Sequence, residues 1–220
     1  MIPLYDTIPS RSFPAVTVAL IAVNVAAFGF EASLGRHAQA FILDYGLVPL
    51  RFVQPGRHGL HAAPAWLTPW TSMFLHGGLM HLLSNMWMLW IFGDNVEDRM
   101  GRVRFLSFYL LAGFAAAMAQ LAAGWGSPVP VIGASGAIAG VMGAYFLLFP
   151  HARVVTLVPV FVFLQRVELP AFVFLAVWFL TQVHLGASGS GHGGIAWWAH
   201  IGGFVAGLAL GWRFSRGRRA

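Results

Sequence analysis

The chain has no cysteine and no lysine. The first absence excludes a disulfide framework and any cysteine-ligated metal site. Charge of either sign is scarce: 13 arginines and 7 acidic residues in 220 make 9% charged, against about 25% in an ordinary soluble domain. So few charges cannot cover a soluble globule, which disfavours a soluble enzyme, a disordered tail and a nucleic-acid-binding domain together. The net charge of +6 is concentrated, with Arg213, Arg216, Arg218 and Arg219 at the C-terminal end. That cluster reads as a flank at a lipid surface, and no nucleic-acid partner is expected. What is present in excess is apolar surface, 58% of all residues. The composition is that of a polytopic membrane protein.

The uncharged stretches predict where helices run, since a span needs about 20 apolar residues to cross about 30 Å of hydrocarbon. Spans are expected near 13–30, 77–93, 105–123, 132–150, 169–185 and 195–212, with breaks at Gly124–Pro130 and at the Gly/Ser/His stretch 186–194. The run 154–165 is too short to cross and contains Pro159, so it is expected to be interfacial. Segment 31–70 is long for a connection and carries Phe41, Leu47, Phe52, Trp66 and Trp70, which are expected at headgroup level. The expected fold class is an all-α membrane protein. It is a single domain over 1–220, a six-transmembrane-helix bundle with a long, partly membrane-embedded external loop between helices 1 and 2. A cleavable leader over 1–30, with small residues at Ala26 and Ala27, is disfavoured because the apolar stretch exceeds an h-region of about 7–15 residues. With the N-terminus inside, only Arg36, Arg51 and Arg57 fall outside, so the arginine bias favours N-in, C-in.

Strongly polar groups inside spans are costly, so each is a functional candidate. The second span carries His81 and Asn85, spaced i,i+4 and therefore on one face. The fourth opens with Gly133-Ala134-Ser135-Gly136, and the sixth carries His200 near its start. All four polar residues lie in the same half of their spans. Glycines at 136, 140 and 143, and at 203, 207 and 211, form stripes that let backbones approach closely. If the stripes meet, Ser135 faces His200. A serine beside a neutral imidazole is an activated nucleophile, and His81, Asn85 and the backbone N–H of Ser135 are candidate oxyanion donors. The seven acids lie at span ends or in connections, so the arrangement is a dyad rather than a triad. His76 is read as structural, and His37, His58 and His61 as solvated. His151 lies at the wrong end of its span, and His184 and His192 flank the last external loop.

These segments resemble the rhomboid intramembrane serine proteases. The resemblance rests on Gly133-Ala-Ser-Gly136, on His76-x4-His81-x3-Asn85 and on Ala199-His-Ile-Gly-Gly203 with Gly207, supported by Val96-Glu-Asp-Arg-Met-Gly101. It covers about residues 13–212. It implies Ser135 as nucleophile and His200 as general base. His81, Asn85 and the Ser135 N–H would form the oxyanion hole, and Gly133 would keep the loop open to substrate. It also implies a lateral gate in the fifth helix, with Phe172, Phe174, Trp178 and Phe179, and a cap in loop 186–194. One departure stands out: some members have an aromatic residue four positions after the serine, stacked on the base. Here that residue is Ala139.

The expected function is therefore a serine endopeptidase that cleaves transmembrane segments of membrane-protein substrates in the lipid bilayer, without metal or cofactor. No His-Glu-x-x-His and no pair of intramembrane aspartates supports a metallo- or aspartyl protease. The alternatives are a polytopic transporter or channel, which would require broken helices in matching halves or a membrane-embedded acid, and a non-catalytic rhomboid-like binder. The expected setting is a prokaryotic plasma (inner) membrane, with the site opening to the extracytoplasmic side.

Overall fold

The computed structural model describes residues 1–54, 62–160, 163–188 and 195–215. The chain opens with strand β1 (Ile2–Asp6) and helix α1 (Ala15–Ser33), followed by short helices α2 (Ala38–Tyr45), α3 (Leu50–Val53) and α4 (Thr68–Thr71). Helices α5 (Leu79–Met100) and α6 (Arg102–Ala123) are separated by Gly101 alone, whose φ of 83° suits a residue without Cβ. Then come α7 (Ser135–Leu148), strands β2 (Arg153–Val160) and β3 (Phe163–Pro170), α8 (Ala171–Ala187) and α9 (Trp197–Ser215).

Helix α7 is the centre of the core, buried from Gly136 through Tyr145. Its glycine stripe meets that of α9. A Cβ at Gly203 would fall on the carbonyl of Gly136, and one at Gly207 on the carbonyl of Gly140. Helix α1 is fastened to α5 by a charged side chain. The Glu97 carboxylate accepts the N–H of Val16 at 3.0 Å and of Thr17 at 2.8 Å, and the Thr17 hydroxyl at 2.9 Å. These are first-turn donors that have no acceptor within α1.

Among the described residues, two helices, α1 and α6, are long and apolar enough to cross a membrane, whereas α7 and α8 are apolar but shorter. Helix α5 runs on past the expected limit of 93 through Asp94, Glu97, Asp98 and Arg99. Large apolar side chains nevertheless remain exposed around the molecule, among them Val23, Leu83, Leu111, Leu180 and Val205. Exposed apolar side chains on several helices fit a lipid-facing surface.

The chain is mostly helical but not all-α. The run expected to be interfacial forms β2 and β3, and the N-terminal segment adds β1, giving an antiparallel sheet in the order β1-β2-β3. Its register pairs Ile2 with Leu157, Asp6 with Val154, and Arg153 with Pro170. The β-branched residues Val154, Val155, Thr156 and Val158 favour the strand. Pro159 is tolerated because β1 pairs only as far as Leu157.

One further expectation is corrected. The fourth long helix begins at Ser135 rather than 132, because Val131 pairs with Leu47 in an isolated bridge and the Gly133 N–H donates to the Ser72 carbonyl at 2.9 Å. Within the segment after α1, Leu47 is fully buried, Trp70 stacks on Phe114 at 4.8 Å, and Phe41 meets the exposed Phe30 at 5.5 Å. Trp66 alone of the tryptophans in this segment is strongly exposed, at 67%.

A polar knot ties β1 to α5 and α7. The Asp6 carboxylate accepts from the Tyr145 hydroxyl and from Asn95 Nδ2 at 2.8 Å. Burial pushes the Asp6 carboxyl up to about 6 from 3.8; the Tyr145 hydrogen bond works against that rise and the nearby Asp94 adds to it. The folded state therefore holds this proton more tightly than the unfolded chain. The stabilisation is complete below about pH 4 and is lost as pH rises through about 6. Denaturant titrations in detergent at pH values across this window should show the parent losing stability relative to Asp6→Asn, which cannot titrate. Parallel curves for the two proteins would contradict that.

Candidate active site

Ser135 is the first residue of α7, so its N–H belongs to the set that has no acceptor within the helix. The loop before it carries Pro128 and Pro130, then Gly133 at φ 118°, a conformation that disfavours a side chain. Space is closed there as well: a Cβ at Gly133 would lie 2.7 Å from His81 Nε2 and 3.6 Å from Asn85 Nδ2. His81 and Asn85 stand one turn apart on α5 and face this loop. Asn85 is 6% exposed, and its buried Nδ2 has no hydrogen-bond acceptor.

His200 lies in the first turn of α9, and the N–H of the preceding Ala199 donates to Gln120 Oε1 of α6 at 3.1 Å. Its Nε2 is 2.8 Å from Ser135 Oγ. Its Nδ1 is 2.8 Å from Oε1 of Gln182 on α8, and Gln182 Nε2 donates to the Trp178 carbonyl at 3.2 Å. The Trp178 and Trp197 rings lie 5.9 and 6.0 Å from the imidazole. These groups flank His200 where Ala139, fully buried, offers no ring. A cleft beside Ser135 is lined by Leu47, Ser72, Met73, Ile132, Gly133 and Ala196.

The structure thus brings Ser135 and His200 into contact and sets His81, Asn85 and Gly133 against one another. His76, read as structural and on another face, precedes α5. It is fully buried, its ring lies 5.1 Å from that of His81, and its N–H donates to Glu31 at 3.2 Å. His37, His151 and His184 are exposed. His58, His61 and His192 lie outside the described residues, as does most of loop 186–194. Gln182 was not anticipated. Its signal in the sequence is a lone amide within an apolar run, the same signal that singled out Asn85. Among the described residues, no group of three or more His, Asp or Glu is placed to hold a metal ion.

A family model for the rhomboid domain matches residues 64–217, which include Ser135, His200, His81, Asn85, Gly133 and Gln182. The chain belongs to the rhomboid family. Rhomboid membership makes it a membrane protein, in keeping with its apolar exterior. It is 30% identical over 212 residues to the yeast (Saccharomyces cerevisiae) mitochondrial Rhomboid protein 1, covering 90% of this chain and 53% of that one. It is 41% identical over 87 residues to Bacillus subtilis Rhomboid protease GluP, covering 40% and 17%. Human presenilin-associated rhomboid-like protein, mitochondrial, is 32% identical over 148 residues, covering 65% and 31%. The rhomboid described here therefore spans about half the length of the yeast relative, and less of the other two.

These relatives overturn the expected prokaryotic plasma membrane, because those aligned over the longer stretches are mitochondrial proteins. The physical reason is simple. Arginine bias reports on sides of a membrane and carries no information about which membrane it is.

Gly133→Ala should force the loop away from His81 and place alanine at an unfavourable φ. Such strain and overpacking cost about 1–3 kcal/mol, read as a lower midpoint of thermal unfolding in detergent. An unchanged midpoint would mean that the loop relaxes freely.

Proposed function

We propose that this rhomboid is an intramembrane serine endopeptidase that uses a Ser135–His200 dyad on transmembrane segments of protein substrates. The observation that carries this reading is the 2.8 Å contact between His200 Nε2 and Ser135 Oγ, made between α9 and α7 of a chain that belongs to a family of membrane proteins. The six long helices would span the bilayer, and the mitochondrial relatives support a mitochondrial membrane as the setting.

In this mechanism Ser135 Oγ attacks the substrate carbonyl carbon while its proton passes to His200 Nε2. The carbonyl oxygen takes up the negative charge and is met by donors from the Ser135 N–H, Asn85 Nδ2 and the His81 ring. The buried Asn85 Nδ2 that has no acceptor in the structure suits this role, because the reaction itself would supply one. When the C–N bond breaks, the leaving amine takes the proton from His200. Water then attacks the acyl ester of Ser135, giving a proton to His200, which returns it to Ser135 Oγ as the acid product leaves. A substrate helix must open locally for attack, since its carbonyls are otherwise hydrogen-bonded, and this favours small or helix-breaking residues at the cleaved bond.

Ser135→Ala and His200→Ala should each abolish cleavage of a model transmembrane substrate in liposomes, and the double variant should be no worse, since the two act as one unit. A serine-directed fluorophosphonate should label the parent and not Ser135→Ala. Equal labelling of both would remove the nucleophile assignment and leave the non-catalytic alternative standing. Asn85→Ala should lower kcat by about 10²–10³, the usual cost of losing one well-placed oxyanion donor. A change confined to KM would mean that Asn85 only shapes the cleft.

A further inference from the structure

The base in this site lacks the acid that normally orients it. A neutral imidazole has one N–H and one lone pair, so His200 can take the Ser135 proton at Nε2 only if the hydrogen sits on Nδ1. The groups around it come from four other helices: Ser135 of α7, Trp178 and Gln182 of α8, Gln120 of α6 beside Ala199, and His81 of α5, its titratable neighbour. None of them is a carboxylate. Gln182 is 6% exposed, and an amide in that position is costly unless both its ends are bonded. Both are. Its Nε2 donates to the Trp178 carbonyl one turn back on α8, which fixes the amide so that Oε1 faces His200 Nδ1. An amide turned the other way would donate to Nδ1 and favour the wrong tautomer.

We propose that Gln182 is the positioning residue for His200: its Oε1 accepts the Nδ1–H, holds the imidazole in that tautomer and leaves the Nε2 lone pair directed at Ser135. This rests on the dyad proposed above and extends it to a third side chain, carried by a third helix.

Two substitutions separate this role from mere packing. Gln182→Met keeps much of the volume and removes the acceptor. Gln182→Glu keeps an acceptor in either state: protonated, its O–H replaces the amide bond to the Trp178 carbonyl while its C=O faces Nδ1; ionised, it accepts more strongly. Cleavage kinetics in liposomes should show kcat down about 10²-fold in the Met variant, the scale of a misplaced catalytic group, with KM within about twofold. The Glu variant should recover most of that loss. Nitrogen NMR of ¹⁵N-histidine-labelled protein in micelles, with the His200 signals assigned from their absence in His200→Ala, gives a readout independent of activity. The parent and the Glu variant should show the Nδ1–H tautomer, and the Met variant a mixture. Parent-like kcat in a folded Met variant, or an Nε2–H tautomer in the parent, overturns the proposal. Should the Met variant fail to fold, the parent tautomer and the Glu variant still decide. Activity that survives Ser135→Ala would instead sink the dyad, and the His200 tautomer would still report on Gln182.

Discussion

The close approach of α7 and α9 is the contact on which everything else in this molecule depends. At Gly136 against Gly203, and at Gly140 against Gly207, no side chain separates the two backbones, and a single Cβ would strike a carbonyl oxygen. Helices in an apolar solvent gain little from burying apolar surface, so close packing of small residues is what holds them together. Ser135 sits one residue before the first of these contacts on α7, and His200 three residues before its counterpart on α9. The 2.8 Å separation of their side chains is thus a consequence of glycine packing lower in the same pair.

The second constraint is the treatment of polar atoms. Several are matched between elements distant in the chain: Glu97 to the start of α1, Glu31 to the His76 backbone N–H, Asp6 to Tyr145 and Asn95, Gln120 to Ala199, and Gln182 to His200. Each such pair offsets the cost of burial and constrains how the two elements it joins are set against each other. Buried polar atoms without a hydrogen-bond partner occur beside the site, at Asn85 Nδ2 and Trp197 Nε1, and away from it, at Asn24 Oδ1, Arg51 Nε and the Tyr109 hydroxyl.

Much of this was legible in the sequence. Ser135, His200, His81 and Asn85 stood out because polar residues are rare in apolar spans, and the glycine stripes because their spacing is helical. The sheet was not. The run 154–165 carries a strand composition, but its partner β1 lies some 150 residues upstream, and nothing local distinguishes a strand from an interfacial segment. The start of α7 moved to Ser135 because Val131 found Leu47 across the fold. The loss of an aromatic at Ala139 was visible, but what replaced it was not, since Gln182, Trp178 and Trp197 belong to other helices.

The sequence by itself determined which segments are apolar, where their helical stripes run and which chemical groups they carry, because composition and period belong to single segments. Only the tertiary structure decided which groups face one another. Whether Gln182 bonds its own backbone, faces lipid or meets His200 depends on the rotation of α8 against α9, and that rotation is set by contacts among residues far apart in the chain.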